Sequence, residues 1–288
     1  MAAVDLQTLV LLSYVAFIFL AGSWVFASFY LRYAILVLAV LAIVRSFARA
    51  YALPLFVEPR LLGWIGYATG LMFSAAMIFL AVGAIRSFWY PEVPLRLSFP
   101  FRHGVYAVFE GGNGKASSLM NYHYSAAMHR GAGTNASMRY ATDLTRLSRW
   151  GNDADGFLPT RNERYAVFHE VVYSPLEGEV SDVEDSWPNE TPWTGDPPYN
   201  VGNHILITSN GYGVLLGHLQ KGSILVKPGD RVSVGQPVAR AGNSGWTSQP
   251  HLHLQAMRIS AGSFWGWEGV PVSFEGKNPT KNRLFFTR

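Results

Sequence analysis

The sequence predicts apolar membrane helices followed by an all-β domain, and three observations carry that expectation. Two long runs without a charged residue, Leu9–Tyr30 and Leu61–Ile85, open the chain. From Gly202 onward, short strands punctuated by glycine recur at the spacing of an antiparallel β-sandwich or barrel. No helical periodicity of useful length follows Ile85. The expected division is residues 1–87, holding two or three transmembrane helices, and residues 88–288, an all-β domain.

Each uncharged run is long enough to cross a hydrocarbon core of about 30 Å as a helix. Between them, Tyr33–Val44 is apolar but short, bracketed by Arg32 and Arg45. That suits a tilted third span with snorkelling arginines, or a re-entrant or interfacial helix. A cleaved signal peptide is not expected, because Asp5 and no Lys or Arg precede the first run and no polar domain follows it directly. Arg45, Arg49 and Arg60 place the connection before the last span in the cytoplasm, and therefore the chain after Arg86 outside it. The N-terminus changes side between the two span counts. Membrane lipid is thus an expected partner. The spans lack the intramembrane acidic residues of an ion path, which argues against a channel or transporter subunit.

Cysteine is absent, which excludes disulfides and thiolate metal sites. The net charge of +4 is mild and partly membrane-flanking arginine. With no arginine-rich run or aromatic–basic interleaving, a nucleic-acid partner is not expected.

After the last span, the proline-rich and aromatic "SFWYPEVPLRLSFPF" suits an interfacial collar. "HGVYAVFEGG" reads as a strand, Asn113–Ser137 as a long loop, and "MRYATDLTRL" as another strand. Trp150–Tyr165 reads as a surface excursion, "EVVYSPLEGEVSDVED" as two strands about a turn, and Asp185–Tyr199 as a loop. From Gly202 to Gln255 a glycine-punctuated meander ends in His251 and His253. Two residues apart on a strand, these point to one face, roughly 7 Å apart. With His218 in an upstream strand they form a candidate metal or acid–base cluster. A lone histidine at a strand end is more often structural, which covers His204 and His169; Asp230 and Asn243 read as turn residues.

At these motifs the chain resembles the lysostaphin/LytM zinc metallopeptidases, which cut peptides of bacterial peptidoglycan. "YATDL", "VYSPLEGEV", "GNHILI", "GHL", "VKPGDRVSVGQPVARAGNSG" and "PHLHLQ" follow the family's order between Arg139 and Gln255. Lipoyl and biotinyl carriers share the glycine hairpin, but the lysine they need at its tip is missing. The resemblance implies the duplicated hybrid-motif β fold, one Zn²⁺ per chain, a peptidoglycan peptide as substrate or ligand, and a bacterial cytoplasmic membrane location. Carried over residue by residue, Asp143 and His253 match metal ligands, and His218 and His251 match the histidines flanking the catalytic water. Three histidines and an aspartate in this order are hard to explain as core filling, since each needs its own hydrogen-bond partner.

One position departs from the family. Its first ligand, a histidine four residues before the aspartate, is Arg139 here, and a guanidinium has no lone pair to donate. Replacement ligands are sought in the upstream loop: His123 first, because tyrosines flank it, then His129. The plainer reading leaves both as loop histidines and pairs Arg139 with an acidic side chain. A non-catalytic module that binds wall peptide or regulates another hydrolase, with Arg139 clamping a carboxylate, is the alternative function. Trp246, Trp265 and Trp267 suit a glycan-facing rim, membrane-side packing or core burial.

Overall fold

The computed structural model describes residues 2–50, 61–125, 134–194 and 200–288; Arg60 and His129 lie outside these. Three helices open the chain: α1 (Ala2–Ala21), α2 (Leu31–Ala50) and α3 (Leu61–Arg86). Two are long and apolar enough to cross a membrane, over Leu31–Ala48 and Leu61–Arg86, each of mean hydropathy 2.0; Leu6–Ala21 is a shorter apolar helix. α1 lies along α3, with the Tyr14 and Phe73 rings 6.2 Å apart.

The uncharged run Leu9–Tyr30 is not one helix. α1 stops at Ala21, where the Gly22 N–H and Trp24 Nε1–H both donate to the Ile18 carbonyl, at 2.9 and 3.0 Å. Trp24–Phe26 then form a 3-10 turn. The physical reason lies in the β domain: Val25 and Phe29 are buried against Ala107, Phe109 and Leu147, and that burial outweighs continuing the helix. Tyr33–Val44 is likewise the middle of a full-length helix that runs through both flanking arginines. Arg32 does not snorkel; it is buried, with Nη2 donating to Phe19 O at 3.0 Å and its guanidinium 4.0 Å over the Phe19 ring.

Thirteen strands follow among the described residues: β1 (Leu95–Leu97), β2 (Gly104–Glu110), β3 (Thr142–Arg146), β4 (Val171–Tyr173), β5 (Gly178–Glu184), β6 (Asn203–Ser209), β7 (Tyr212–Leu219), β8 (Arg231–Val232), β9 (Pro237–Arg240), β10 (Leu252–Arg258), β11 (Glu268–Val270), β12 (Val272–Phe274) and β13 (Leu284–Thr287). One sheet has the order β13-β2-β3-β10-β7-β6-β5-β8, with β11 on β10, and all its pairs are antiparallel. β4–β9 and the parallel β1–β12 are separate pairs. The strands flanking the Pro–Leu–Glu–Gly turn, β4 and β5, therefore join different sheets and do not pair with each other. The β6–β7 hairpin turns at Asn210-Gly211, both at positive φ (50° and 82°), the two-residue turn whose twist matches its strands.

β10 is flanked by β3 and β7, and its alternation divides its side chains. Leu252, Leu254 and Ala256 enter the main core with Leu144, Ile205 and Leu216. His253 and Gln255 occupy the opposite face. The expected surface excursion Trp150–Tyr165 is partly interior: Asp153, Ala154 and Tyr165 are buried, because the segment closes over the α1–α2 connector, with Asp153 N–H donating to Val25 O at 3.0 Å.

Candidate metal centre

Strand register builds half of the site. On β10, His253 stands opposite Asp143 of β3 on one side and Gly217 of β7 on the other. Gly217 leaves no room for a Cβ, which would meet Val201 Cγ2 at 2.4 Å. His218 follows at φ 57°, in the left-handed region that a non-glycine residue rarely adopts. Strain of this kind is typical of functional positions. His251 precedes β10 and bridges Gly242. The ring centroids of His218 lie 4.7 Å from His251 and 5.6 Å from His253.

The other half comes from the long loop. Tyr122–Tyr124 form a 3-10 turn capped by Asn121, whose Oδ1 accepts the His123 backbone N–H at 3.2 Å. Asn121 is fully buried, and its Nδ2 donates to Gly112 O, Ala141 O and Arg139 O, which ties the loop to the start of β3. Glu110 of β2 supports it further: one oxygen accepts the Tyr122 N–H at 2.8 Å and the other accepts from Lys281 Nζ at 2.8 Å. His123 is thereby delivered to Asp143, Nε2 to Oδ2 at 3.2 Å, with its ring 4.7 Å from that of His253.

Inner donor atoms of His123, Asp143 and His253 all lie within 4.8 Å of one another. The outer nitrogens define the tautomers, because each rests on an oxygen that can only accept. His123 Nδ1–H donates to Asn121 Oδ1 at 2.9 Å, and His253 Nε2–H to Gln255 Oε1 at 3.0 Å. His218 Nδ1–H donates to Ser244 O, and His251 Nδ1–H to Gln249 O, both at 2.8 Å. Each inner nitrogen is left to a proton or a metal. His253 presents Nδ1 to Asp143 Oδ1 at 3.1 Å, and His251 presents Nε2 to the same oxygen at 3.5 Å.

Electrostatics sort the groups. Burial opposes the charge on Asp143, but His123 and His251, with hydrogen bonds from His123 and His253, outweigh it and hold the carboxyl well below the usual range. For His123, burial is likewise overcome by Asp143, and its pKa rises. Burial dominates at His218 and His251, reinforced at His218 by its histidine neighbours, and pushes both down, so both are neutral at pH 7. Two imidazole nitrogens and one ionised carboxylate oxygen form a donor set that fits Zn²⁺ with a position left for water.

Arg139 is not part of this group. Its Nε donates to Asn113 Oδ1 at 3.2 Å and its guanidinium lies 4.7 Å from the Tyr140 ring centroid. Its partner is therefore an amide rather than the acidic side chain expected, and it does not line the cleft above the site. That cleft has a volume of about 690 Å³ and is bordered by all four histidines, Asp143 and several aromatic rings. Trp246 and Trp265 line it, whereas Trp267 is buried in a small core with Leu206, Leu215 and Met257. His204, on Gly202 O, and His169, on Gln220, lie elsewhere, and Asp230 caps its own turn at Lys227.

The model of peptidase family M23 matches residues 165–265. Over these residues, about a third of the chain, the sequence matches peptidase family M23. The matched M23 segment contains His218, His251 and His253 but neither Asp143 nor His123. Among solved structures, the chain is similar to a zinc-containing peptidase from Vibrio cholerae (22% identity, 57% of this chain and 37% of that chain, TM-score 0.33). It is also similar to LytU (26% identity, 36% and 65%, TM-score 0.27) and to the catalytic domain of the antimicrobial peptidase lysostaphin from Staphylococcus simulans (22% identity, 40% and 85%, TM-score 0.27). It spans about a third of the Vibrio chain and under two thirds of LytU. No curated protein matches the chain.

The sequence motifs do not report the groups that orient the histidines: Asn121, Gln255, and the carbonyls of Ser244 and Gln249. Gln255 has a legible signal, two residues from His253 on one strand face. Asn121 has another, the Asx turn two residues before His123. The Glu110–Lys281 pair has none, since its members lie at opposite ends of the β domain.

Proposed function

We propose that this protein is a membrane-anchored zinc endopeptidase that hydrolyses peptide bonds in the cross-links or stem peptides of peptidoglycan. The observation that carries the reading is the convergence of His123, Asp143 and His253, with the neutral His218 and His251 beside them. In this reading, His123 Nε2, an oxygen of Asp143 and His253 Nδ1 hold the metal. When bound, zinc lowers the pKa of a water towards ~7 and polarises a carbonyl. One of His218 and His251, each presenting an Nε2 lone pair, would take the proton of the attacking water, and the imidazolium so formed would donate to the charge developing on the carbonyl oxygen. The same proton then passes to the leaving amine as the peptide C–N bond breaks. The Ser244 and Gln249 carbonyls keep both imidazoles in the accepting tautomer.

The β domain, residues 88–288, is read as a hybrid-motif sandwich lying outside the cytoplasm of a bacterial cell, held by the helices of residues 1–87. Having the ends of α1 and α3 and the start of α2 all beside the β domain supports three crossings with the N-terminus inside. The alternative of a metal-free regulatory module rests on Arg139, and the placing of His123 beside Asp143 favours the zinc reading over it. The test is full-length protein purified in detergent, analysed for zinc and incubated with peptidoglycan sacculi. One zinc per chain and release of cleaved peptides are expected, both lost in Asp143→Ala. Intact sacculi with a zinc-loaded, folded protein would end the endopeptidase reading.

A further inference from the structure

The two helices long and apolar enough to cross a membrane meet the β domain at one end each, and those ends mark a level on the molecule. α2 begins at Leu31 and α3 ends at Arg86. Two separate stretches of the β domain are bonded there. On the α3 side, Asn113 N–H donates to Ser87 O at 2.9 Å, and Ser87 Oγ donates to Asn113 O at 3.0 Å. The chain then runs down beside the helix, where a Cβ on Gly83 would meet Ala116 O at 3.3 Å. Gly83 precedes the helix end by about 4.5 Å of axial rise, at ~1.5 Å per residue. On the α2 side, Ser28 Oγ donates to Trp150 O, and Phe29 N–H to Gly151 O, both at 2.6 Å.

Large apolar side chains are exposed at this level. Leu119 is 43% exposed, with its carbonyl held by Lys281 Nζ at 3.1 Å. Trp150 is 67% exposed, with the Arg149 guanidinium 5.0 Å from its ring centroid. Trp89 and Tyr30, next to the helix ends themselves, are exposed as well. Arg86, Lys115 and Arg149 add exposed basic groups. Aromatic rings with a polar tip, and apolar stems with a cationic head, are the side chains that settle at the boundary between acyl chains and headgroups.

We infer that the Asn113–Met120 loop and the Arg149–Trp150 turn form a lipid-contacting surface of the β domain, seated in the headgroup layer around α2 and α3. Continuity with the helices selects lipid as the occupant, since a bilayer that surrounds α3 up to Arg86 also surrounds the chain packed beside Gly83. The surface rests on the membrane-anchored reading and adds a second attachment to it, made by residues far from the helices in sequence. Its two parts flank the proposed metal ligands. The loop leads into the Asn121-capped turn that carries His123, and Trp150 follows β3, which carries Asp143. The cleft is thereby held at a fixed height above the bilayer.

The chain has no cysteine, so single-cysteine variants take a nitroxide label without background. Full-length Leu119→Cys and Trp150→Cys are labelled in vesicles of phosphatidylethanolamine and phosphatidylglycerol. Collisions with oxygen, which dissolves in lipid, are compared with collisions with a water-soluble nickel chelate. Met72→Cys, exposed in the middle of α3, reports whether that helix crosses. Leu225→Cys, as exposed as Trp150 but in a loop bonded to β9, reports the aqueous side. Labels at positions 119 and 150 are expected to lose nickel collisions as position 72 does, while position 225 keeps them. Nickel-accessible labels at 119 and 150, with a lipid-buried label at 72, would overturn the surface and leave the anchor standing. A nickel-accessible label at 72 would remove anchor and surface together. Labels at 119 and 150 shielded from both reagents would put a protein partner in place of lipid, which also overturns the surface. Should a cysteine variant fail to fold, lipids with brominated acyl chains serve instead. They should quench the tryptophan fluorescence of the parent more than that of Trp150→Phe, and equal quenching would count against the surface.

Discussion

The two halves of the proposed metal centre are held in place by different physics. His253, His251 and His218 lie on or beside β10 and β7, where sheet register sets their positions: His253 must face Asp143 once β10 pairs with β3. His123 has no such frame. It sits on a 3-10 turn in a long loop and reaches Asp143 only because Asn121 and Glu110 tie that turn to the sheet. A strand-borne ligand is specified by many backbone hydrogen bonds, a loop-borne one by a few buried side chains. The second kind is easier to break, and easier to move to a new place in a chain.

The largest expected effect is loss of a strand-borne ligand. His253→Ala or Asp143→Ala should weaken zinc binding on the order of a thousandfold, about one ligand's share of the ~10–16 kcal/mol typical of structural zinc in peptides. Competition with a chromophoric chelator measures it, and retention of zinc by either variant would remove that residue from the centre. Next comes the support of the loop half. Lys281→Met leaves Glu110 buried without its cation, and loss of one partner of a buried pair costs about 3–5 kcal/mol. Thermal unfolding should show the loss, and Lys281→Met combined with Glu110→Gln should recover part of it. Orienting residues follow, and they compare the halves directly. Asn121→Ala should lower zinc affinity by about 100-fold and Gln255→Ala by nearer tenfold, the two ends of the range for outer partners of metal-bound histidines. The reverse order would show that register does not spare His253 its orienting partner.

An effect on stability rather than on zinc affinity concerns the strand half and carries a pH signature. Asp153 accepts from Gln249 Nε2 at 2.7 Å, and Gln249 in turn holds His251 through its carbonyl. Burial lifts the Asp153 pKa to about 6, from 3.8, against the opposing hydrogen bond from Gln249. Between those values the folded state binds more protons than the unfolded one, so stability falls as pH rises from about 4 to above 6. Asp153→Asn keeps an acceptor for Gln249 and removes that loss. It should stabilise the protein by about 2–3 kcal/mol at pH 8 and by less at pH 5, as read by melting temperature.

Much of this architecture is legible in the sequence, and the exceptions have a common cause. The β6–β7 hairpin announces itself in Asn210-Gly211, and the strand-borne histidines in their spacing around β10. The break at Gly22 is not legible, because it depends on Val25 and Phe29 finding Ala107, Phe109 and Leu147, residues remote in the chain. The same holds for Asp153, buried under the connector inside what reads as a surface loop. His123 can be ranked as a ligand from its tyrosine flanks, but what carries it to Asp143 is a set of side-chain bonds that span from Glu110 to Lys281. Periodicity and spacing report local geometry; they do not report which distant surfaces meet.

Replacement by His123 of the ligand missing at Arg139 is what the proposed metal centre stands on. Its most direct test is zinc stoichiometry and affinity of the full chain against His123→Ala, with His129→Ala and Arg139→Ala alongside. One zinc per chain in the parent, kept in His129→Ala and Arg139→Ala and lost in His123→Ala, is the expected result. Undiminished zinc binding by His123→Ala would contradict it.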